Sequence, residues 1–270
     1  MTRVALVIMA CAGCESILGI DETRYTGMTD AATDARAPDA CGLACEGSFA
    51  SCRALKMQYP NAPSGVYVID TGTVIFRAYC EQTGDGGGWT LALKVDGRLT
   101  TFNYDNAIWE DTTLLGTDTP NLDHSEAKLE TWSSIAFTEM RVGLEYPIDT
   151  GTVNWLVVPL SGARLYDLFQ PNQGQTTTLG RDAWKSLLST YASLQPNCNM
   201  EGTNVYDSNA RVRIGIISNQ EADCLTPDSR IGIGGGGTTC GGTETAGDTA
   251  CFTPDNGDVE LAAFGWVLVR

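Results

Sequence analysis

Ten cysteines in 270 residues constrain this chain more than any other feature of it. A reducing cytosol would leave most of them as free thiols, so the chain is expected where disulfides form and persist. Zinc is the competing use for so many cysteines. Structural zinc sites need closely spaced Cys or Cys/His pairs. Here the Cys-x2-Cys pair, Cys11 and Cys14, sits at the extreme N-terminus, and His124 is the single histidine. A zinc framework is therefore not expected.

Residues 1–14, MTRVALVIMACAGC, carry a positive charge at Arg3 and an apolar run from Val4 to Ala10. The run is too short to span a bilayer and has the make-up of an export signal. Its end resembles a bacterial lipoprotein signal, in which a small residue precedes the cysteine that is lipidated. Cys11 has the better apolar residue three places before it, and Cys14 the better small pair. Lipidation at Cys14 leaves Cys41, Cys45, Cys52, Cys80, Cys198, Cys224, Cys240 and Cys251, an even set, whereas lipidation at Cys11 leaves an odd thiol. Cys14 is the expected site and Cys11 the alternative; a plain secretory signal is the competing reading. The chain is then exported and lipid-anchored in the envelope, at the outer membrane or cell surface, or else secreted. Residues 15–45 follow as a tether, with no apolar period across the Ala-, Asp- and Thr-rich stretch 21–40. Cys41 and Cys45 either pair with each other or tie the tether to the domain, which is expected over 46–270.

With 33 acidic and 17 basic residues, the formal charge is −16. Such a surface repels phosphate backbones, so nucleic acid is not an expected partner. It suits calcium, whose natural ligands are carboxylates; the alternative is a merely solvated acidic surface. Thirty glycines without a collagen-like period imply many turns and irregular loops.

Short elements are expected throughout. Ser51 precedes a helix that stops before Pro60. Residues 66–70 and 73–80 read as a hairpin, 89–96 as a strand, and 97–124 as irregular. Ser125 is placed to cap a helix over 125–137. Residues 140–146 and 153–160 read as strands, 161–170 and 180–191 as short helices, and 211–218 and 259–270 as strands. Between those last two lies an expected long Gly/Asp-rich loop, 219–258, of the kind that is functional or ordered by an ion. The result is an α+β domain without internal repeats.

Residues 52–70, CRALKMQYPNAPSGVYVID, and 76–90, FRAYCEQTGDGGGWT, resemble the start of a fibrinogen C-terminal domain. The resemblance implies a Cys52–Cys80 disulfide, worth on the order of 3 kcal/mol in the chain-entropy model. It makes Trp89 a core residue and the glycine run a fold marker. Residues 218–237, SNQEADCLTPDSRIGIGGGG, with 247–257 and the ending AAFGWVLVR, resemble the intelectins, or X-type lectins. The likeness is good over 51–95 and 205–270 and weak over 97–200.

Intelectins hold calcium in this loop and bind the vicinal diols of microbial sugars through it. Carried over, Asn219 matches the family's asparagine; Gln220 falls where the family has glutamate, with Glu221 one place later. Asp248 and Asp255 match acidic positions, and Glu244 stands for the sugar-site glutamate at an altered spacing. Calcium is thus the expected cofactor, with a solvated, disulfide-braced loop as the alternative. Two departures leave a family-type sugar site incomplete: Arg230 replaces a histidine and Pro254 an aromatic residue. Cys198 and Cys224 have family counterparts and are expected to pair; Cys240 and Cys251 flank a loop and are expected to close it.

Enzyme readings are weak. There is no G-x-S-x-G elbow, no Walker loop and no dinucleotide fingerprint. The expectation is a non-enzymatic recognition module that binds a glycan or another extracellular ligand. The alternative is a structural or adhesion protein that contacts surface proteins, with a hydrolase last.

Overall fold

Strict alternation in residues 264–269 sets the centre of the fold. Phe264, Trp266 and Leu268 enter one apolar cluster, and Val267 and Val269 enter another. That period of two is what a strand buried on both faces requires. The computed structural model describes residues 47–270, apart from 172 and 239. The leader, the tether, and Cys11, Cys14, Cys41 and Cys45 lie outside the described residues.

In chain order the elements are β1 (Ser48–Phe49), α1 (Cys52–Gln58), β2 (Gly65–Asp70), β3 (Ile75–Glu81), β4 (Trp89–Asp96), β5 (Ala127–Lys128) and α2 (Thr131–Ser134). Then come β6 (Met140–Glu145), β7 (Val153–Val158), α3 (Leu165–Leu168), α4 (Arg181–Lys185), β8 (Asn197–Tyr206) and β9 (Ala210–Asn219). The last are β10 (Ser229–Gly237), β11 (Ala246–Ala250), β12 (Val259–Ala262) and β13 (Phe264–Val269). They form one α+β domain with two sheets, ordered β1-β2-β3-β4-β13-β6-β7 (with β5 on β4) and β12-β11-β10-β9-β8.

In the first sheet β13 pairs with β4 and β6. Val267 faces Leu93 and Leu268 faces Leu91, so Ala92 is an extra residue in β4. This bulge switches the faces: Trp89 and Leu91 join one cluster, Leu93 and Val95 the other. Ile214, Ile216, Ile231 and Ile233 of the second sheet complete the main core. Segment 97–124 is irregular, as expected, but two fully buried lysines pin it. Lys94 donates to Thr119 O (2.7 Å), Ser125 Oγ (2.9 Å) and Asp123 Oδ1 (2.5 Å). Lys128 donates to Asp111 O (2.7 Å), Asp111 Oδ1 (2.8 Å) and Ile108 O.

Among the described residues, three disulfides join Cys52 to Cys80, Cys198 to Cys224 and Cys240 to Cys251. Ser51 caps α1 by accepting from Ala54 N at 3.1 Å. At the glycine run Gly87 has φ +72°, and a Cβ there would lie 2.2 Å from Gln82 O, so only glycine fits.

Two expectations are corrected. The helix over 125–137 is instead β5 followed by the single turn α2, because Ala127 and Lys128 pair with Lys94 and Leu93 of β4. The long loop over 219–258 is interrupted by β10 and β11, each paired on both edges. Its glycines serve close strand packing. Gly202, Gly215, Gly232 and Gly247 face one another in register on four adjacent strands. Their φ values are +129°, +158°, +148° and +130°, a region closed to other residues.

Candidate functional site

The segment after α4, residues 193–197, threads beneath two loops and joins them. Ser193 and Gln195 are fully buried. Ser193 N donates to Asp248 Oδ2 (2.7 Å), and Ser193 Oγ to Gly257 O (2.6 Å). Leu194 N donates to Asp255 Oδ1 (3.0 Å). The Gln195 amide nitrogen donates to Gln220 Oε1 (2.7 Å), Cys251 O (2.8 Å) and Phe252 O (3.1 Å). Asn197 Nδ2 donates to Gln220 O at 2.8 Å. Cys251 N donates to Asp228 O at 3.2 Å, which ties loop 220–228 directly to loop 251–258. The Cys198–Cys224 bridge ties loop 220–228 to β8, and the Cys240–Cys251 bridge ties the first residue of loop 251–258 to residue 240. On this rigid base Leu225 is 74% exposed and Phe252 58% exposed, with Glu221 and Asp223 also exposed.

The six expected calcium ligands stand in separate places. Asn219, Gln220 and Glu221 are consecutive at the end of β9. Asn219 Nδ2 donates to Asp223 O at 3.2 Å, its Oδ1 is buried without a partner, and Gln220 Nε2 donates to Glu221 Oε1 at 3.0 Å. Asp248 and Asp255 meet through Ser193 and Leu194. Glu244 lies on the far face of β10, where its Oε2 accepts from Thr249 (2.8 Å) and stands 3.7 Å from Arg230. A calcium ligand needs an uncommitted oxygen converging with others. Asp255 is instead held by Arg181 (2.8 Å) and by Lys185, and Glu244 faces a buried guanidinium. Among the described residues, no group of three His, Cys, Asp or Glu is arranged to hold a metal. The six do not fit one ion as a single ligand set. Arg230 is buried and donates to the carbonyls of Gly242 and Glu244 at 3.2 Å. It therefore locks the 240–244 loop.

The two linked carboxylates are driven apart in acidity. Burial pushes the Asp248 carboxyl well above its usual value, and the Ser193 N–H and Arg230 only partly oppose this. Burial also acts to raise Asp255, but bonds from Lys185, Leu194 N and Arg181 outweigh it and bring the group to about 2. The consequences for stability have opposite signs. For Asp248 the unfolded chain releases its proton first as pH rises, so stability falls with rising pH above the ordinary carboxyl value. For Asp255 the stabilisation is complete above 3.8 and is lost as pH falls toward about 2. Denaturant unfolding of Asp248→Asn beside the parent chain should show the variant gaining relative stability as pH rises above the ordinary carboxyl value. A pH-independent difference would mean that Asp248 titrates normally.

The segment 193–197 was invisible in the sequence. It lies where the family likeness is weak, and its sole clue is its closeness to Cys198, which the second disulfide carries to the loop. His124 lies between Glu145 Oε2 (2.5 Å) and Asp149 Oδ1 (3.1 Å), with the Phe264 ring edge-on at 4.9 Å.

No family model matches the chain. One similar solved structure is the fibrinogen-like globe domain of human ANGPTL6, at 17% identity and TM-score 0.41, covering 83% of this chain and 96% of that one. Another is the lamprey fibrin D-dimer in complex with the peptide ligand Gly-His-Arg-Pro-amide, at 14% identity and TM-score 0.35, covering 83% of this chain and 74% of that one.

Proposed function

We propose that this chain is a non-enzymatic recognition module of the fibrinogen-related type, displayed outside the cell, whose binding surface is formed by loops 220–228 and 251–258. One observation carries the reading. Two adjoining loops, each anchored at one cysteine by a disulfide and locked from below by Gln195, hold Leu225 and Phe252 in solvent. Large apolar side chains at loop tips expose area that water disfavours, and bracing removes much of the ordering cost of binding. Exposed Glu221 and Asp223 flank them, which favours a ligand with apolar and basic groups. A protein or peptide of the extracellular face fits this better than a sugar bound through metal. Export and the lipid anchor at Cys14 rest on residues 1–14 alone, and calcium on the family likeness.

The test is retention of the mature chain on peptide and glycan arrays, with calcium and with EDTA, beside a Leu225→Ser/Phe252→Ser double variant. The expected result is retention on peptides in both buffers, lost in the double variant at unchanged melting temperature. Retention on no peptide, or undiminished peptide retention of the double variant, would refute the surface. Retention that requires calcium would restore the metal-dependent lectin reading.

A further inference from the structure

A second recessed site lies at the opposite end of the β8–β9 pair. The disulfide loops adjoin the Asn197/Asn219 end of that pair, while a cleft of about 370 Å³ opens at the Tyr206/Arg211 end. Its size falls in the range of small-molecule sites. Its walls come from the segment after β4, the turn after α3, and the β8–β9 hairpin.

The floor is fixed by Arg213, which is 5% exposed. Its guanidinium donates to Tyr104 O (2.8 Å), Asn204 Oδ1 (2.8 Å) and Glu110 Oε1 (3.0 Å), and stacks 4.3 Å from the Tyr104 ring. Asn204 sits within β8 at φ +50°, which asparagine tolerates better than most residues. Its side-chain nitrogen donates to Leu168 O (3.0 Å) and Gln173 O (2.7 Å), so one residue ties three chain segments at the cleft. At the rim Arg211 pairs with Asp105, and its guanidinium lies 5.6 Å from the ring centres of both Tyr104 and Tyr206. Tyr206 is 56% exposed.

Charge bookkeeping identifies the ligand class. The chain carries −16 overall, yet this cleft is balanced: Asp105 against Arg211 and Glu110 against Arg213. Each guanidinium already faces a carboxylate, so an anion finds no unpaired positive charge here. Both carboxylates are neutralised, so a cation gains little. A largely polar lining rejects an apolar ligand. What faces the cleft is an exposed tyrosine ring among hydroxyl, amide and paired carboxylate groups. A sugar matches it, with C–H faces for the ring and hydroxyls for the polar groups. We infer that the cleft between Tyr104, Tyr206 and Arg213 is a binding site for a neutral saccharide, one that needs no metal and is separate from the disulfide-loop surface.

The test uses the mature chain and immobilised neutral oligosaccharides of hexose and N-acetylhexosamine type, in EDTA. Retention is expected and should weaken about tenfold in Tyr206→Ala, a change of about 1.4 kcal/mol. Met57→Ala, at a residue 77% exposed on α1 and part of neither site, should leave it unchanged. Gln173→Ala, also at an exposed position, gives an independent reading at the cleft, with melting temperature as the fold control. The inference is overturned if no neutral oligosaccharide is retained in EDTA, or if neither cleft variant weakens retention. It is equally overturned if only acidic sugars or cationic peptides are held. Because the disulfide-loop surface is tested by other variants and on peptides, either site can fail without the other.

Discussion

Glu201→Ala should lower the free energy of unfolding by about 3–5 kcal/mol, far more than the roughly 1 kcal/mol of an average substitution. Glu201 is 7% exposed in the middle of β8. Its carboxylate accepts from Thr177 Oγ1 (2.6 Å), Leu179 N (3.0 Å), Gly180 N (2.8 Å) and Trp184 Nε1 (2.8 Å). Removing it strands four donors, two of them backbone groups at the start of α4 and one on the fully buried Trp184. Each stranded buried donor costs about 1–3 kcal/mol, reduced where water enters. Burial acts to raise the Glu201 carboxyl, but the bonds from Thr177, Trp184, Gly180 and Leu179 prevail and hold it below its ordinary 4.5. Its stabilisation is therefore present above 4.5 and lost as pH falls further, and the alanine variant should lack that part of the acid limb. Urea unfolding at pH 7 and pH 3 measures both. A loss below about 1 kcal/mol would show that the donors are readily rehydrated.

Gly232→Ala should be comparably damaging, at about 3 kcal/mol or more. Its φ is +148°, and a Cβ there would lie 2.0 Å from Ile214 O and 2.8 Å from Gly215 Cα. Neither atom can withdraw, since both belong to the paired strand β9. Gly257→Ala is the control. Its φ is +79°, with nothing within 4 Å of the added carbon. That variant bears only backbone strain, on the order of 1 kcal/mol. Equal losses in the two variants would show that close strand approach contributes nothing. A larger loss at Gly232 marks the glycine row as the feature that lets four strands pack. The result also bears on both proposed sites, because β8 and β9 carry one at each end.

The sequence by itself determined the elements whose causes are local. Ser51 and Pro60 bracket α1, the apolar end of 259–270 reads as a strand, and Trp89 is core. The pairs Cys52–Cys80, Cys198–Cys224 and Cys240–Cys251, expected from family likeness and loop closure, are the pairs in the structure. Sequence also marked the stretch 219–258 as the place to look, because acidic residues and cysteines gather there. Tertiary structure decided what depends on partners far along the chain. Glycine reads as loop until its neighbours are known. Gly232 and Gly247 are strand residues only because each faces another glycine across a strand pair. Residues 125–137 have a helical pattern, yet Ala127 and Lys128 are captured by β4, and Lys128 gains buried oxygen partners near Asp111. The acidic residues looked alike in sequence. Arg181, Lys185 and Arg230 then engaged Asp255 and Glu244, while Asp248 was sealed beneath Ser193. Nothing local marks Gln195 or Arg213, because each is defined by hydrogen bonds to segments tens of residues away. Local propensity and spacing are written in a short window; charge pairing and close backbone approach exist only once the chain has closed on itself.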